Sequence, residues 1–237
     1  MKIDTKYRSQ APEIMDDFSL EGEELRDALD KIAKINQLLG GNSLTLDGVK
    51  QLLKKIPTNE EITIVDIGCG NGDMLRNLAD FANENGYNFN LIGIDANSFT
   101  INYAEKLSID YSNIAFRCEN IFDAAFEKLE YDIVVCTLTL HHFNDSEIID
   151  LLNIINIKAK IGIVINDLHR SSIAYKLFKI LCSAFKLNKM SEQDGLVSIL
   201  RGFKKEDLVL FSKKLNLKKY TIQWKWAFRY QWIISKI

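Results

Sequence analysis

"IVDIGCGNGDML", residues 64–75, decides the fold. An apolar, β-branched run enters it and an amphipathic helical pattern leaves it, so the glycines between them mark a strand-to-helix turn. Gly68, Gly70 and Gly72 stand at alternate positions. Glycine is tolerated where φ must be positive or where a ligand must approach the backbone closely, so the turn is a candidate site. A Walker loop needs Lys-Ser/Thr after its last glycine, and Asp73-Met74 follows here. A dinucleotide fingerprint wants its third glycine five positions after the first, where this chain has Asp73. A helix start that cradles pyrophosphate avoids acids, yet Asp66 and Asp73 bracket this one and Arg76 is the first base. The acidic lip suits a ligand with positive groups.

Outward from the turn, strands alternate with helices. "ITIVDI", "NLIGID", "NIAFRC", "YDIVVCTLTL" and "KIGIVINDL" are five short apolar runs suited to parallel strands covered on both faces. "GDMLRNLADFANENG", "SFTINYAEKLS", "DSEIIDLLNII", "SSIAYKLFKILCSAFKL" and "KKEDLVLFSKKLN" carry helical patterns between or after them. "KKYTIQWKW" and "FRYQWIISKI" close the chain as a pair of antiparallel strands at one edge. The expected fold is α/β: a Rossmann-like, doubly wound, seven-stranded sheet, mostly parallel with an antiparallel edge strand, with ligands at the carboxyl ends of its strands. Residues 1–56 are expected to be an N-terminal helical cap. "EELRDALDKIAKINQLLGG" puts Leu25, Leu29, Ile32, Ile35 and Leu39 on one stripe ended by Gly40-Gly41, and "TLDGVKQLLKKIP" repeats the pattern. "YRSQAPEIMDDFS" before them has no clear period. Residues 57–237 form the ligand-binding domain, with a lid insertion near 183–202.

The 237 residues fit one sizeable α/β domain, and 47% apolar with 26% charged residues is the content of an ordinary soluble globule. No 18-residue apolar run and no charged-then-apolar leader is present, so neither a membrane span nor a secreted precursor is expected. Cys69, Cys118, Cys136 and Cys182 are scattered without a CxxC pair, which reads as reduced thiols in a cytoplasmic protein with no metal centre. The net charge of −2 hides an asymmetry. Residues 1–169 carry 15 Lys+Arg against 28 Asp+Glu, and residues 170–237 carry 15 against 4. Either the two regions neutralise each other across the fold, or the basic C-terminal region faces an anionic substrate or, transiently, a membrane surface.

Asp95 ends the second strand, where a carboxylate can accept both hydroxyls of a ribose, while Asn97 or Ser98 can cap the next helix. "VDIGCGNG", "IGIDAN", "ENIFD" and "YDIVVCTLTLHHF", in that order, resemble the motifs of class I S-adenosylmethionine-dependent methyltransferases. The resemblance is close over about residues 57–170. It implies S-adenosylmethionine as cofactor and S-adenosylhomocysteine as product, a ligand with a sulfonium, an ammonium and no phosphate. By that resemblance Asp66, Gly68, Cys69, Gly70 and Gly72 surround the methionine portion, with Cys69 as a small packer. Asp95, beside Ala96, holds the ribose. Asn120 stands where the family has an acid at the adenine amino group, and Ile121 packs on the adenine. Cys136 and Thr137 floor the methyl site.

Methyl transfer needs an aligned nucleophile, dry surroundings and, for many acceptors, a base. His141-His142-Phe143 follows the fourth strand, and an imidazole is a plausible general base or a loop-shaping hydrogen-bond donor. As the two histidines are adjacent, only one is expected to point inward. "NDLHR" follows the fifth strand. There Asp167 and His169 are expected to form an orienting pair and Arg170 to hold a substrate anion, unless Asp167 only caps a helix. Asn166, Tyr175 and Arg201 complete the candidate substrate contacts, with His142, His141 and His169 the candidate catalytic groups. "NDLHR", "APEIMDD" and "SILRGF" also resemble, more loosely, a bacterial subgroup with members acting in pathways that make phenolic lipids or polyketides. The expected function is methylation of a small molecule at a phenolic, quinone-like or polyketide- or lipid-derived oxygen. RNA or protein methylation and a non-catalytic cofactor-binding role are the alternatives, and a dehydrogenase is disfavoured by the glycine spacing. No stable nucleic-acid complex is expected, and the chain is expected to be a monomer or homodimer.

Overall fold

A computed structural model of the chain describes residues 3–123 and 126–237. All seven expected strands are present: β1 (Glu61–Ile67), β2 (Asn88–Asp95), β3 (Ile114–Cys118), β4 (Ile133–Thr137), β5 (Gly162–Leu168), β6 (Tyr220–Lys225) and β7 (Arg229–Ser235). They form one sheet in the order β3-β2-β1-β4-β5-β7-β6. The first five pair in parallel, β7 runs antiparallel to β5, and β6 runs antiparallel to β7 at the edge. The chain order reverses between β1 and β4, so a crevice opens above the carboxyl ends of those strands.

Strand alternation divides the core into two layers. Val65, Val134, Ile163 and Trp232 face one side, where Leu151 and Leu152 of α5 (Asp145–Lys158) and Leu208 and Phe211 of α8 (Lys205–Lys214) cover them. Ile64, Val135, Val164 and Ile233 face the other, under Leu75 and Leu78 of α3 (Asp73–Asn85) and Leu52 and Leu53 of α2 (Gly41–Leu53). The short helix α4 (Ser98–Leu107) is capped by Asn97, whose side chain accepts from the Thr100 N–H.

Helix α2, expected as part of the N-terminal cap, thus belongs to the sheet's covering layer. Gly48 lets it lie close, since a Cβ there would come within 2.4 Å of Val164. It also begins earlier than its sequence pattern suggested, directly after Gly40, which takes a left-handed conformation and separates it from α1 (Glu23–Leu38). The apolar stripe of α1 does not pack on the sheet: Leu25, Leu29, Ile32, Ile35 and Leu39 line a cavity above it.

Two further differences shape that cavity. β4 stops at Thr137, because Leu138 has φ of 55° and a 3₁₀ turn over Leu140–His142 follows. The region expected as a lid insertion consists of the end of α6 (Ser172–Ala184) and a full helix, α7 (Lys189–Arg201), which closes over the crevice. Among the described residues no helix is long and apolar enough to cross a membrane.

Candidate active site

The cavity over the crevice has a volume of about 950 Å³. The glycine turn forms part of its floor. Gly68 and Gly70 have φ of 68° and 52°, in the region that side-chain-bearing residues avoid. A Cβ on Gly68 would lie 2.3 Å from Thr139, whereas one on Gly70 would meet only Leu29, at 3.9 Å. The Gly70 backbone is therefore open to a ligand.

Acids surround that backbone. Asp66 is buried, and its Oδ1 has no hydrogen-bond partner. Burial, then the charges of Asp73 and Asp95, push its carboxyl well above the usual range. Asp95 accepts the Gly70 N–H (3.2 Å) on Oδ2 and the Asn97 N–H (3.0 Å) on Oδ1. Burial still raises its carboxyl, against the pull of those bonds. An orphaned buried carboxylate beside an open backbone, with further carboxylates in reach, fits an ammonium- and sulfonium-bearing nucleoside and rejects a phosphate. Burial and the same acids push the Cys69 thiol well up, so it stays protonated and inert.

Of the residues expected at the cofactor, Asp66, Gly68, Cys69, Gly70, Asp95, Ala96, Asn120, Ile121 and Thr137 all line the cavity. Gly72 and Cys136 do not. Gly72 serves as the left-handed N-cap of α3 and sits under Phe116. Cys136 faces the core because its strand neighbour Thr137 faces the cavity. The Asn120 Oδ1 already accepts the Phe122 N–H at 3.1 Å. Its neighbour Glu119, which opens the "ENIFD" motif but carries no expected role there, lines the same wall with a buried, unpartnered Oε2.

Both adjacent histidines line the cavity, against the expectation that only one would. They lie on a 3₁₀ turn, where successive side chains are about 120° apart and do not alternate as on a strand. His141 Nδ1 is 2.7 Å from Asp167 Oδ1, and His142 Nδ1 is 2.7 Å from Asp16 Oδ1. The Nε2 atoms approach one carboxylate, that of Glu13, at 3.7 and 3.8 Å. Burial raises the Glu13 carboxyl, although His142, Ser198 and Arg201 oppose it. For Asp16 and Asp167 burial is outweighed by the histidine contacts, and both carboxyls fall below their usual range.

Glu13 and Asp16 come from the N-terminal stretch that showed no period. It is fixed as a strap by contacts that no local pattern reveals. Asp194 of α7 accepts the Ile14 and Met15 N–H groups at 2.7 and 2.9 Å. Arg8 donates to the His141 and Phe143 carbonyls and pairs with Asp145. Arg201 pairs with Asp16 at 2.7 Å and donates to the His141 and His142 carbonyls, so it braces the cluster and does not itself line the cavity.

The rest of "NDLHR" departs from expectation. Asp167 pairs with His141 and not with His169, because the turn after the neighbouring strand stands closer than the position two residues along its own. His169 lines the cavity, but its Nδ1 lies 3.2 Å from the Trp224 Nε1–H. Burial and the charges of Lys204 and Arg170 lower its pKa, which leaves it neutral near pH 7. Arg170 is buried away from the cavity, donating to the Thr5 and Gly202 carbonyls and paired with Asp207 at 2.9 Å. Asn166 is a strut from β5 to α2, donating to the Gly41 carbonyl and Thr45 Oγ1. Tyr175 lies outside the cavity under the Lys179 ammonium.

The profile of the family described as "Methyltransferase domain" matches residues 58–230. The chain belongs to that family. Similar to this methyltransferase-family chain is the ubiquinone/menaquinone biosynthesis C-methyltransferase UbiE of Rickettsia prowazekii, 31% identical over 98 residues, 40% of this chain and 39% of UbiE. Protein 235L of Invertebrate iridescent virus 6 is 33% identical over 86 residues, 36% of this chain and 29% of that protein. The matches thus span well under half the length of these relatives. Among solved structures, the plantazolicin methyltransferase BpumL in complex with SAH superposes with a TM-score of 0.64 at 19% identity, over 90% of this chain and 96% of that one. At that identity the likeness speaks for the fold.

Proposed function

We propose that this chain transfers the methyl group of S-adenosylmethionine to an oxygen of a small, largely apolar acceptor. The observation that carries the reading is the buried, unpartnered Asp66 carboxylate beside the open Gly70 backbone. When bound, the cofactor supplies an electrophilic methyl carbon on a sulfonium. Asp66 and the glycine turn receive its ammonium, Asp95 its ribose hydroxyls, and Glu119, Asn120 and Ile121 its base. Solved neighbours of the same fold hold SAH or SAM, which supports this assignment.

The acceptor's place follows from the remaining walls. Leu29 and Ile32 of α1, Phe178 and Leu181 of α6 and Phe228 form an apolar lining that excludes water. At one end of it His142, steered through Nδ1 by Asp16, presents Nε2 for the acceptor's proton, with Glu13 alongside to share the charge. His141 and Asp167 repeat that arrangement one layer deeper. A phenol or hydroquinone suits this chemistry, since its oxygen becomes nucleophilic on losing one proton.

The test is transfer of isotope-labelled methyl from S-adenosylmethionine to a panel of phenols and hydroquinones, read by mass spectrometry. O-methyl products are expected, with His142→Ala slower by about 10²-fold or more and S-adenosylhomocysteine affinity preserved. Wild-type turnover in His142→Ala would refute the proton-acceptor role, and methyl placed on ring carbon would move the reading to C-methylation.

A further inference from the structure

The cavity has two chemically different ends. Asp66 on β1, Asp95 on β2 and Glu119 after β3 give one end its acidic character. Leu168 and His169 at the end of β5, the turn residues Trp226, Ala227 and Phe228, and Arg229 at the start of β7 line the other. β7 is three strands from β1, so the two ends rise from backbones about 14 Å apart at ordinary strand spacing.

Arg229 is anomalous. It is 3% exposed, lines the cavity, and its Nε and Nη1 have no hydrogen-bond partner. The other two buried arginines are fully employed: Arg170 on carbonyls and Asp207, Arg201 on carbonyls and Asp16. The carboxylate whose charge reaches Arg229 is that of Asp167, and its oxygens already accept from His141 Nδ1, His141 N–H and Leu168 N–H. Burial lowers the guanidinium to about 10, so it remains charged at neutral pH. Gly41 keeps room for Asn36 and for Arg229 beside it, since a Cβ there would come within 1.8 Å of Asn36 Oδ1 and 3.1 Å of Arg229 Cζ. A buried cation whose neighbouring carboxylate is already fully engaged is costly, and the unpaired donors of a guanidinium in the cavity wall match a carboxylate in two-point contact.

We propose that Arg229 is the receptor for a carboxylate on the methyl acceptor, which makes the acceptor an amphipathic aromatic or aliphatic acid bound with its anionic end at β7 and its nucleophile toward Thr137 and His142. The proposal rests on the methyl-transfer reading for naming the ligand an acceptor. The cofactor's own carboxylate is the other source of this chemistry. It shares a carbon with the ammonium assigned to Asp66, however, which favours the acidic end for both.

The test uses the full chain saturated with S-adenosylhomocysteine and two matched probes, 3-(4-hydroxyphenyl)propanoate and its methyl ester, together with their longer-chain homologues. Wild type is expected to bind the acids about 10- to 100-fold more tightly than the esters, the worth of a charge-assisted pair. Arg229→Met should erase that preference and leave S-adenosylhomocysteine affinity unchanged. Arg229→Lys, which keeps the charge without the fork, should retain part of it and serves as the readout if the methionine variant fails to fold. Equal binding of acid and ester to wild type, or no acid binding at all, overturns the proposal. A tenfold or greater fall in S-adenosylhomocysteine affinity in Arg229→Met would overturn it in favour of the cofactor carboxylate. Absence of S-adenosylhomocysteine binding to wild type would instead strike the methyl-transfer reading.

Discussion

Replacing Asp167 by asparagine removes one charge and almost no volume, so any loss of stability comes from that charge and the hydrogen bonds it accepts. The carboxylate is 1% exposed and accepts three hydrogen bonds, from His141 Nδ1 at 2.7 Å, the His141 N–H at 3.1 Å and the Leu168 N–H at 2.7 Å. An amide retains one acceptor oxygen and turns a donor toward at least one of these donors. Losing a hydrogen bond to a buried charged acceptor costs about 1.5–3 kcal/mol. For a chain of this size that is a fall in melting midpoint of roughly 3–12 °C, at about 2–4 °C per kcal/mol. The pH dependence has a definite sign. The folded-state carboxyl lies below its usual value, so its contribution is fully present above the unfolded value of about 4 and is lost as pH falls through the folded one. Urea melts of both proteins between pH 3 and 8 should show a constant gap above about pH 5 that narrows below about pH 4. A gap under about 1 kcal/mol at pH 7, the worth of one ordinary hydrogen bond, would refute the reasoning. So would a gap that does not change with pH.

Gly68→Ala should destabilise the fold, because its Cβ would clash with Thr139 at 2.3 Å. Gly70→Ala, with open space ahead of it, should cost only the left-handed strain of about 1–2 kcal/mol in melts yet weaken S-adenosylhomocysteine binding by tenfold or more. Because burial raises the Asp66 and Asp95 carboxyls, affinity for S-adenosylmethionine should start to fall at a pH above the ordinary carboxylate range. Binding should also release protons, seen as a buffer-dependent heat; a flat affinity from pH 4 to 8 would contradict this. Glu13, His141 and His142 bring ligand-type atoms within 4.8 Å of one another, but Arg201 lies 3.7 Å from Glu13 Oε1 and already balances the cluster. Methyl transfer is therefore expected to survive EDTA treatment, and a loss restored by Mn²⁺ would show otherwise.

The sheet was legible because each strand's apolar run is bounded by turn residues, and because the glycine turn admits few ligands once its flanking acids are weighed. Asn97 as helix cap and Asp95 as cavity carboxylate followed from the same local chemistry. What stayed hidden depends on tertiary contact. The strap carrying Glu13 and Asp16 has no period, since Asp194, Arg201 and Asp145 hold it from more than 100 residues away. The stripe on α1 was legible as one helical face, but periodicity does not say whether such a face packs on a core or, as here, lines a cavity. Arg170, expected to hold a substrate anion, is instead engaged by carbonyls and Asp207, while Arg229, which no sequence pattern singled out, keeps unpaired donors in the cavity wall.

Calorimetric titration of the purified chain with S-adenosylhomocysteine tests the central claim most directly. One saturable site is predicted, weakened by 10²-fold or more in Asp95→Ala, as the loss of two charge-assisted hydrogen bonds requires. No heat with the wild-type chain, or undiminished affinity in Asp95→Ala, would contradict it.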